Sequence, residues 1–146
     1  MTSITKNKKA YFEYSIIENY VAGIKLKGSE VKSIRAGKVS ISESYCFISG
    51  GELFIKGMNI TEYKQGGSHN NHQPLRDRKL LMNKKEILKL KENISQKGLT
   101  IVPLNLILTN TGFIKLEIGL AKGKNLYDKR NSIKEKDLKR EIERNL

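Results

Sequence analysis

The chain has 146 residues, 38% of them hydrophobic, and 28 Lys and Arg against 15 Asp and Glu give a formal charge of +13. That length suits one domain whose core removes roughly two-thirds of the unfolded surface from water. So much like charge destabilises a compact chain unless a polyanion is near, which makes nucleic acid the leading partner and an anionic membrane surface its rival.

No window approaches the roughly 20 apolar residues of a spanning helix. Lys6, Lys8 and Lys9 open the chain, but Glu13 and Glu18 interrupt the residues after them, so no apolar signal region is expected. The single cysteine, Cys46, excludes an internal disulfide and a cysteine-rich metal site; between Tyr45 and Phe47 it reads as a buried structural thiol. A cytoplasmic protein is expected.

From Tyr11, the residues Phe12, Tyr14, Ile16 and Tyr20 alternate with Glu13, Ser15, Ile17 and Asn19, which predicts a half-buried strand. Val21 to Leu26 reads as a second strand or a continuation through a bend at Gly23. A short helix comes next, with Ser29 as its N-cap, Val31 and Ile34 inward, Lys32 and Arg35 outward, and Gly37 at its end. "YCFISGGELFIKG" predicts a hairpin turning at Gly50 and Gly51, and Met58 to Tyr63 a further strand. Residues 64–78 read as a long polar loop.

Asn83 and Glu86 form a capping-box pattern for a helix that buries Ile87, Leu88, Leu90 and Ile94, shows Lys84, Lys85, Lys89 and Lys91, and ends at Gly98. Val102, Leu104, Leu106 and Leu108 then alternate, as do Ile114, Leu116, Ile118 and Leu120 after a turn at Asn110 to Gly112. Pro103 has no N–H to donate and belongs at a bulge or on an outward edge. Short antiparallel strands with inserted helices predict a mainly β domain over residues 1–120, an OB-like barrel. Residues 121–146 hold nine basic and five acidic groups and one thin apolar stripe, Leu138, Ile142 and Leu146. A tail that is disordered when free and helical when docked is expected there.

Catalytic chemistry finds few parts. In "GLAKGKNLYDKR" (119–130) Gly119 and Gly123 are one residue too close for a nucleotide-hydrolysing P-loop, and Asn125 replaces its hydroxyl. The stretch fits either a backbone-phosphate grip, with Lys122, Lys124, Lys129 and Arg130 supplying charge, or a solvated basic linker. Tyr127 is placed to stack on a base or to pack against the barrel. His69 and His72 lack a third ligand at a metal-site spacing and read as surface loop residues; no metal or cofactor is expected. With two histidines and one cysteine, nucleophilic triads lack parts. Glu13 with Glu18, or Glu30 with Glu43, has nothing placing the pair in a shared apolar pocket. The residues alone point to a non-enzymatic RNA- or single-strand-binding barrel.

The segments "NKKAYFEY", "GSEVKSIRAGKV", "SESY", "RDRKLLMNKKEI", "QKGLTIVPL", "IGLAKGKNLYDKR" and "IKEKD" run collinearly over nearly the whole chain. Together they resemble the SsrA-binding protein family, SmpB. The resemblance implies an OB-like barrel that binds the tRNA-like domain of transfer-messenger RNA. It implies delivery of that RNA to stalled ribosomes, with the tail in the empty message channel near the decoding centre. It also implies neither catalysis nor a small-molecule substrate.

By the same resemblance Asn7 and Leu81 match RNA-binding positions, with Lys8 and Lys79 beside them, and Phe12 stands where relatives often carry histidine near decoding-centre RNA. Gly123, Asp128, Lys129 and Arg130 match a tail motif implicated in tagging. Lys32, Arg35, Lys84 and Lys85 join the expected RNA surface, and Lys122, Lys124, Tyr127 and Leu138 the expected ribosome-facing tail. Val21 replaces a common glutamate and Leu138 a common tryptophan. A general OB-type RNA-binding protein without transfer-messenger RNA specificity is the alternative.

Overall fold

The computed structural model describes residues 2–63 and 71–124. In chain order these form β1 (Thr2–Lys6), α1 (Lys8–Glu13), β2 (Tyr14–Ile24), α2 (Gly28–Arg35), β3 (Val39–Ser40), β4 (Tyr45–Ser49), β5 (Glu52–Lys56) and β6 (Asn59–Ile60). β7 (Arg78–Leu81), α3 (Lys84–Lys97), β8 (Thr100–Leu108) and β9 (Ile114–Gly123) complete them. Seven strands make one antiparallel sheet in the order β1-β8-β9-β2-β7-β5-β4, and β3 pairs with β6 alone. The sheet curls until β4 lies against β8, compatible with an OB-like barrel not closed by hydrogen bonds. Leu53, Ile55, Met58, Leu80, Leu106, Leu116 and Ile118 fill its interior.

The alternating stretch from Tyr11 is not all strand. Asn7 caps α1: its side chain accepts from the Ala10 N–H at 3.3 Å and donates to the Pro103 carbonyl at 2.9 Å, while its own N–H reaches the Leu104 carbonyl. That capping and the burial of Ala10 hold six residues helical against their period of two. Extended chain starts at Tyr14 and runs unbroken past Gly23 to Ile24. A bulge between Ile16 and Glu18 shifts the phase and leaves Ile17 exposed. Pro103 sits at a bulge, as its missing N–H requires, and is buried with Ile118 of β9 on one side and the Asn7 cap of α1 on the other. β9 extends to Gly123, three residues beyond the expected barrel boundary at Leu120.

Other elements differ in detail. Lys27, not Ser29, is the N-cap of α2, and the Glu30 carboxylate accepts the Lys27 N–H at 2.8 Å. Of Met58 to Tyr63 only Asn59–Ile60 pairs. On α3, capped by Asn83 and stopped by Gly98 in the left-handed region, Ile87 and Leu90 are buried but Leu88 is 57% exposed. Cys46 is buried, and burial pushes its thiol far above the ordinary range.

The largest departure concerns the polar segment before β7. Its described part, residues 71–78, is built into the fold. Arg78 is fully buried: Nε donates to Glu30 Oε2, Nη1 to the Met58 carbonyl at 2.6 Å and Nη2 to the Pro74 carbonyl at 3.1 Å. Arg76 donates to Glu30 Oε1 at 2.5 Å. His72, expected at the surface, is buried; Nε2–H donates to the Ile60 carbonyl and Nδ1 accepts from Ser29 Oγ, each at 2.9 Å. His69 lies outside the described residues.

Burial alone would raise the Glu30 carboxyl, but the Lys27 N–H and the two guanidiniums outweigh it and hold the group below the usual carboxylate range. Its stabilisation is therefore fully present above about pH 4.3, the ordinary glutamate value, and fades as pH falls through the lower folded value. Glu30→Gln strands a buried guanidinium and should lower unfolding free energy by about 3–5 kcal/mol in urea titration at pH 7. The loss of stability as pH falls below about 4.3 should be shallower in that variant, read from urea titrations repeated across the acid range.

Candidate nucleic-acid interface

Among the described residues, the expected site residues gather at the two ends of β2. Tyr14, at its start, pairs with Gly123; Gly23, near its other end, pairs with Leu81. Nine residues of extended chain separate them, about 30 Å at 3.3 Å per residue.

At the first end lie α1 and the last residues of β9. Lys8 is exposed on α1 and Phe12 is half-buried on it. Lys122 and Gly123 are exposed, and Lys124 is tied to α1 through its N–H to the Glu13 carbonyl at 2.8 Å and its Nζ to the Tyr11 carbonyl at 3.3 Å. The chain therefore leaves the described domain beside Phe12. Asn7 belongs to this end but is 3% exposed, with both side-chain atoms engaged within the protein. It positions α1, the element that carries Lys8 and Phe12.

The second end collects α2, β7 and the start of α3. Leu81 is 50% exposed and leans over Gly23, where an added Cβ would meet the Leu81 Cβ at 3.3 Å. Lys79 is half-buried and paired with Glu52 at 3.0 Å. Lys84 and Lys85 are exposed in the first turn of α3, against the positive end of the helix dipole. Arg35 donates to the Gly112 carbonyl at 3.1 Å, and the Lys32 ammonium stands 5.4 Å from the Tyr63 ring centroid. Val21 is 48% exposed beside this surface.

The glycines of the 119–130 stretch divide. Gly119 is buried in β9, and a Cβ there would come within 2.8 Å of Leu104 Cδ1 and 3.0 Å of Ile16 Cγ2. The close approach it permits is to apolar side chains, not phosphate. Gly123 is exposed with open space around it. Tyr127, Asp128, Lys129, Arg130 and Leu138 lie outside the described residues. Sequence reasoning missed Glu30, Arg76 and Arg78, the residues that hold the second end together; the paired arginines of "RDRK" inside a stretch otherwise read as loop were the available signal.

A model of the SmpB protein family matches residues 4–146. The chain belongs to the SmpB family. It is 56% identical over 139 residues to the SsrA-binding protein of Cytophaga hutchinsonii, covering 95% of this chain and 90% of that one. It is 53% identical over 141 residues to that of Bacillus velezensis, covering 97% and 89%. A chain from the solved structure "tmRNA-SmpB: a journey to the center of the bacterial ribosome" superposes with a TM-score of 0.68 at 42% identity, covering 88% of this chain and 93% of that chain. Within the SmpB match, the segments "GSEVKSIRAGKV" and "RDRKLLMNKKEI" are the two that meet at the Glu30 cluster.

Gly119→Ala should destabilise the domain by about 1–3 kcal/mol through overpacking against Leu104 and Ile16. Gly123→Ala should leave thermal unfolding unchanged, and a scan of the two variants checks both.

Proposed function

We propose that this chain binds transfer-messenger RNA and delivers it to stalled ribosomes for trans-translation, ribosome rescue and tagging of incomplete polypeptides. The observation that carries the reading is the division of cationic residues between the two ends of β2, which gives one small domain two RNA-facing surfaces about 30 Å apart. The relatives carry the name SsrA-binding protein, and the superposed SmpB chain comes from a ribosome study.

The second end, with Lys32, Arg35, Lys79, Leu81, Lys84 and Lys85, holds the tRNA-like domain by phosphate and shape contacts. The first end, with Lys8 and Phe12, faces the decoding centre. The tail starting beside it, through Tyr127, Asp128, Lys129, Arg130 and Leu138, enters the message channel only when that channel is empty. The protein acts by binding and positioning, without a catalytic group, in the cytoplasm. No helix among the described residues is long and apolar enough to cross a membrane.

A cut after Gly119 would remove Leu120 and Ala121 from the core and unpair the end of β9, so the informative truncation falls after Lys124. That truncation should keep affinity for transfer-messenger RNA in a filter-binding assay and lose tagging in a reconstituted stalled-ribosome reaction. Equal loss of RNA affinity would refute the division of labour. The pair Lys84→Gln and Lys85→Gln should raise stability by about 0.3–1 kcal/mol each, because the lysines oppose the helix dipole. The same pair should lower the salt slope of RNA binding by about one per lost phosphate contact.

A further inference from the structure

The β4–β5 hairpin turns an aromatic row away from the core. Cys46, Leu53 and Ile55 point inward and are buried. Their neighbours Tyr45, Phe47 and Phe54 alternate to the other face, outside the cluster of side chains that forms the barrel interior. Phe47 and Phe54 are direct cross-strand partners, stacked with centroids 5.4 Å apart and planes at 20°. Tyr45, 51% exposed, continues the row 6.3 Å from Phe47. The row adjoins the second end: Phe54 pairs in register with Lys79, and Leu81 shares the Lys79 face of β7. Lys56 lies opposite Tyr45; the acid on this grid is Glu52, already held by Lys79.

We propose that Tyr45, Phe47 and Phe54 form a base-stacking platform that receives unpaired bases of the same RNA whose phosphates lie on the Lys79, Lys84 and Lys85 surface. Every base offers a π-face, so such a platform takes single-stranded or loop nucleotides with little sequence preference. Continuity with the cationic surface, with Lys56 and Lys79 at the rim, favours RNA over a protein strand added at the open edge of β4. The proposal rests on the functional reading above.

The test uses the full chain with two probes: the tRNA-like domain of transfer-messenger RNA, and a short unstructured oligouridine. Tyr45→Leu and Phe47→Leu keep apolar bulk but remove the ring faces. Each should weaken binding to both probes roughly tenfold with the salt slope unchanged; Tyr45→Leu should leave thermal unfolding unchanged, Phe47→Leu should lower it only by the loss of one stacked pair, and Tyr45→Phe should bind as the parent does. Should a leucine variant unfold, 2-aminopurine placed in the oligouridine reports on the unaltered protein, and its quenching on binding is the expected result. Parent-like affinity of folded leucine variants for both probes, or unquenched 2-aminopurine, would overturn the platform and assign the rings to a protein strand at the β4 edge. If the parent shows no preference for the tRNA-like domain over ordinary tRNA while the leucine variants still weaken oligouridine binding, the platform stands and the functional reading fails.

Discussion

The carboxylate of Glu30 fixes the geometry of everything at the second end of β2. It anchors the start of α2 through the Lys27 N–H, draws Arg76 to the surface of the helix, and neutralises Arg78 inside the domain. Arg78 spends its remaining donors on the carbonyls of Met58, Gln73 and Pro74. A buried ion pair of this kind adds little net stability over a well-packed apolar core, yet removing one partner is severe. Its consequence is specificity of arrangement. The irregular chain before β7 can follow only the path that satisfies both guanidiniums, and that path delivers Lys79 and Leu81 to the outer face beside Gly23. His72, bonded to Ser29 and Ile60, closes the same joint from the other side.

Strand length then does what no single residue does. β2 is long enough to hold the two proposed RNA-facing ends apart, and its partner β9 brings the chain to the α1 end. Lys124 is pinned to the backbone of α1, so the tail starts from a fixed point beside Phe12. The proposed reading of a vacant message channel needs such a fixed origin, because reach is measured from where the domain is held. The lysines opening α3 work against their own helix, a local conflict of the sort found where binding outranks stability.

Much of this was legible in the sequence. The alternation of Ile114, Leu116, Ile118 and Leu120, the Gly50–Gly51 hairpin, and the helix between Asn83 and Gly98 are local signals, and the structure obeys them. Pro103 announced its bulge because a missing donor must be accommodated somewhere. The failures are non-local. α1 has a strand's pattern but is held by carbonyls of Pro103 and Leu104, nearly a hundred residues away. Leu88 matches the helical stripe, yet no described element covers it. His72 and Arg78 look like loop polarity because their partners Ser29 and Glu30 are more than 40 residues distant. Of the candidate site, the exposed cations could be named from the sequence, but not their separation into two ends. The capping role of Asn7 was not legible, because its second partner, the Pro103 carbonyl, lies 96 residues away. The aromatic row on β4 and β5 escaped notice because alternation shows that two faces exist, not which one meets water.

The central claim is that these surfaces are matched to transfer-messenger RNA rather than to polyanions at large. Competition binding between transfer-messenger RNA and ordinary tRNA, at salt concentrations that suppress non-specific phosphate contacts, tests it most directly. The account predicts that transfer-messenger RNA displaces bound tRNA and is not displaced by an equal concentration of it. Equal displacement in both directions would contradict the account and leave a general RNA-binding barrel.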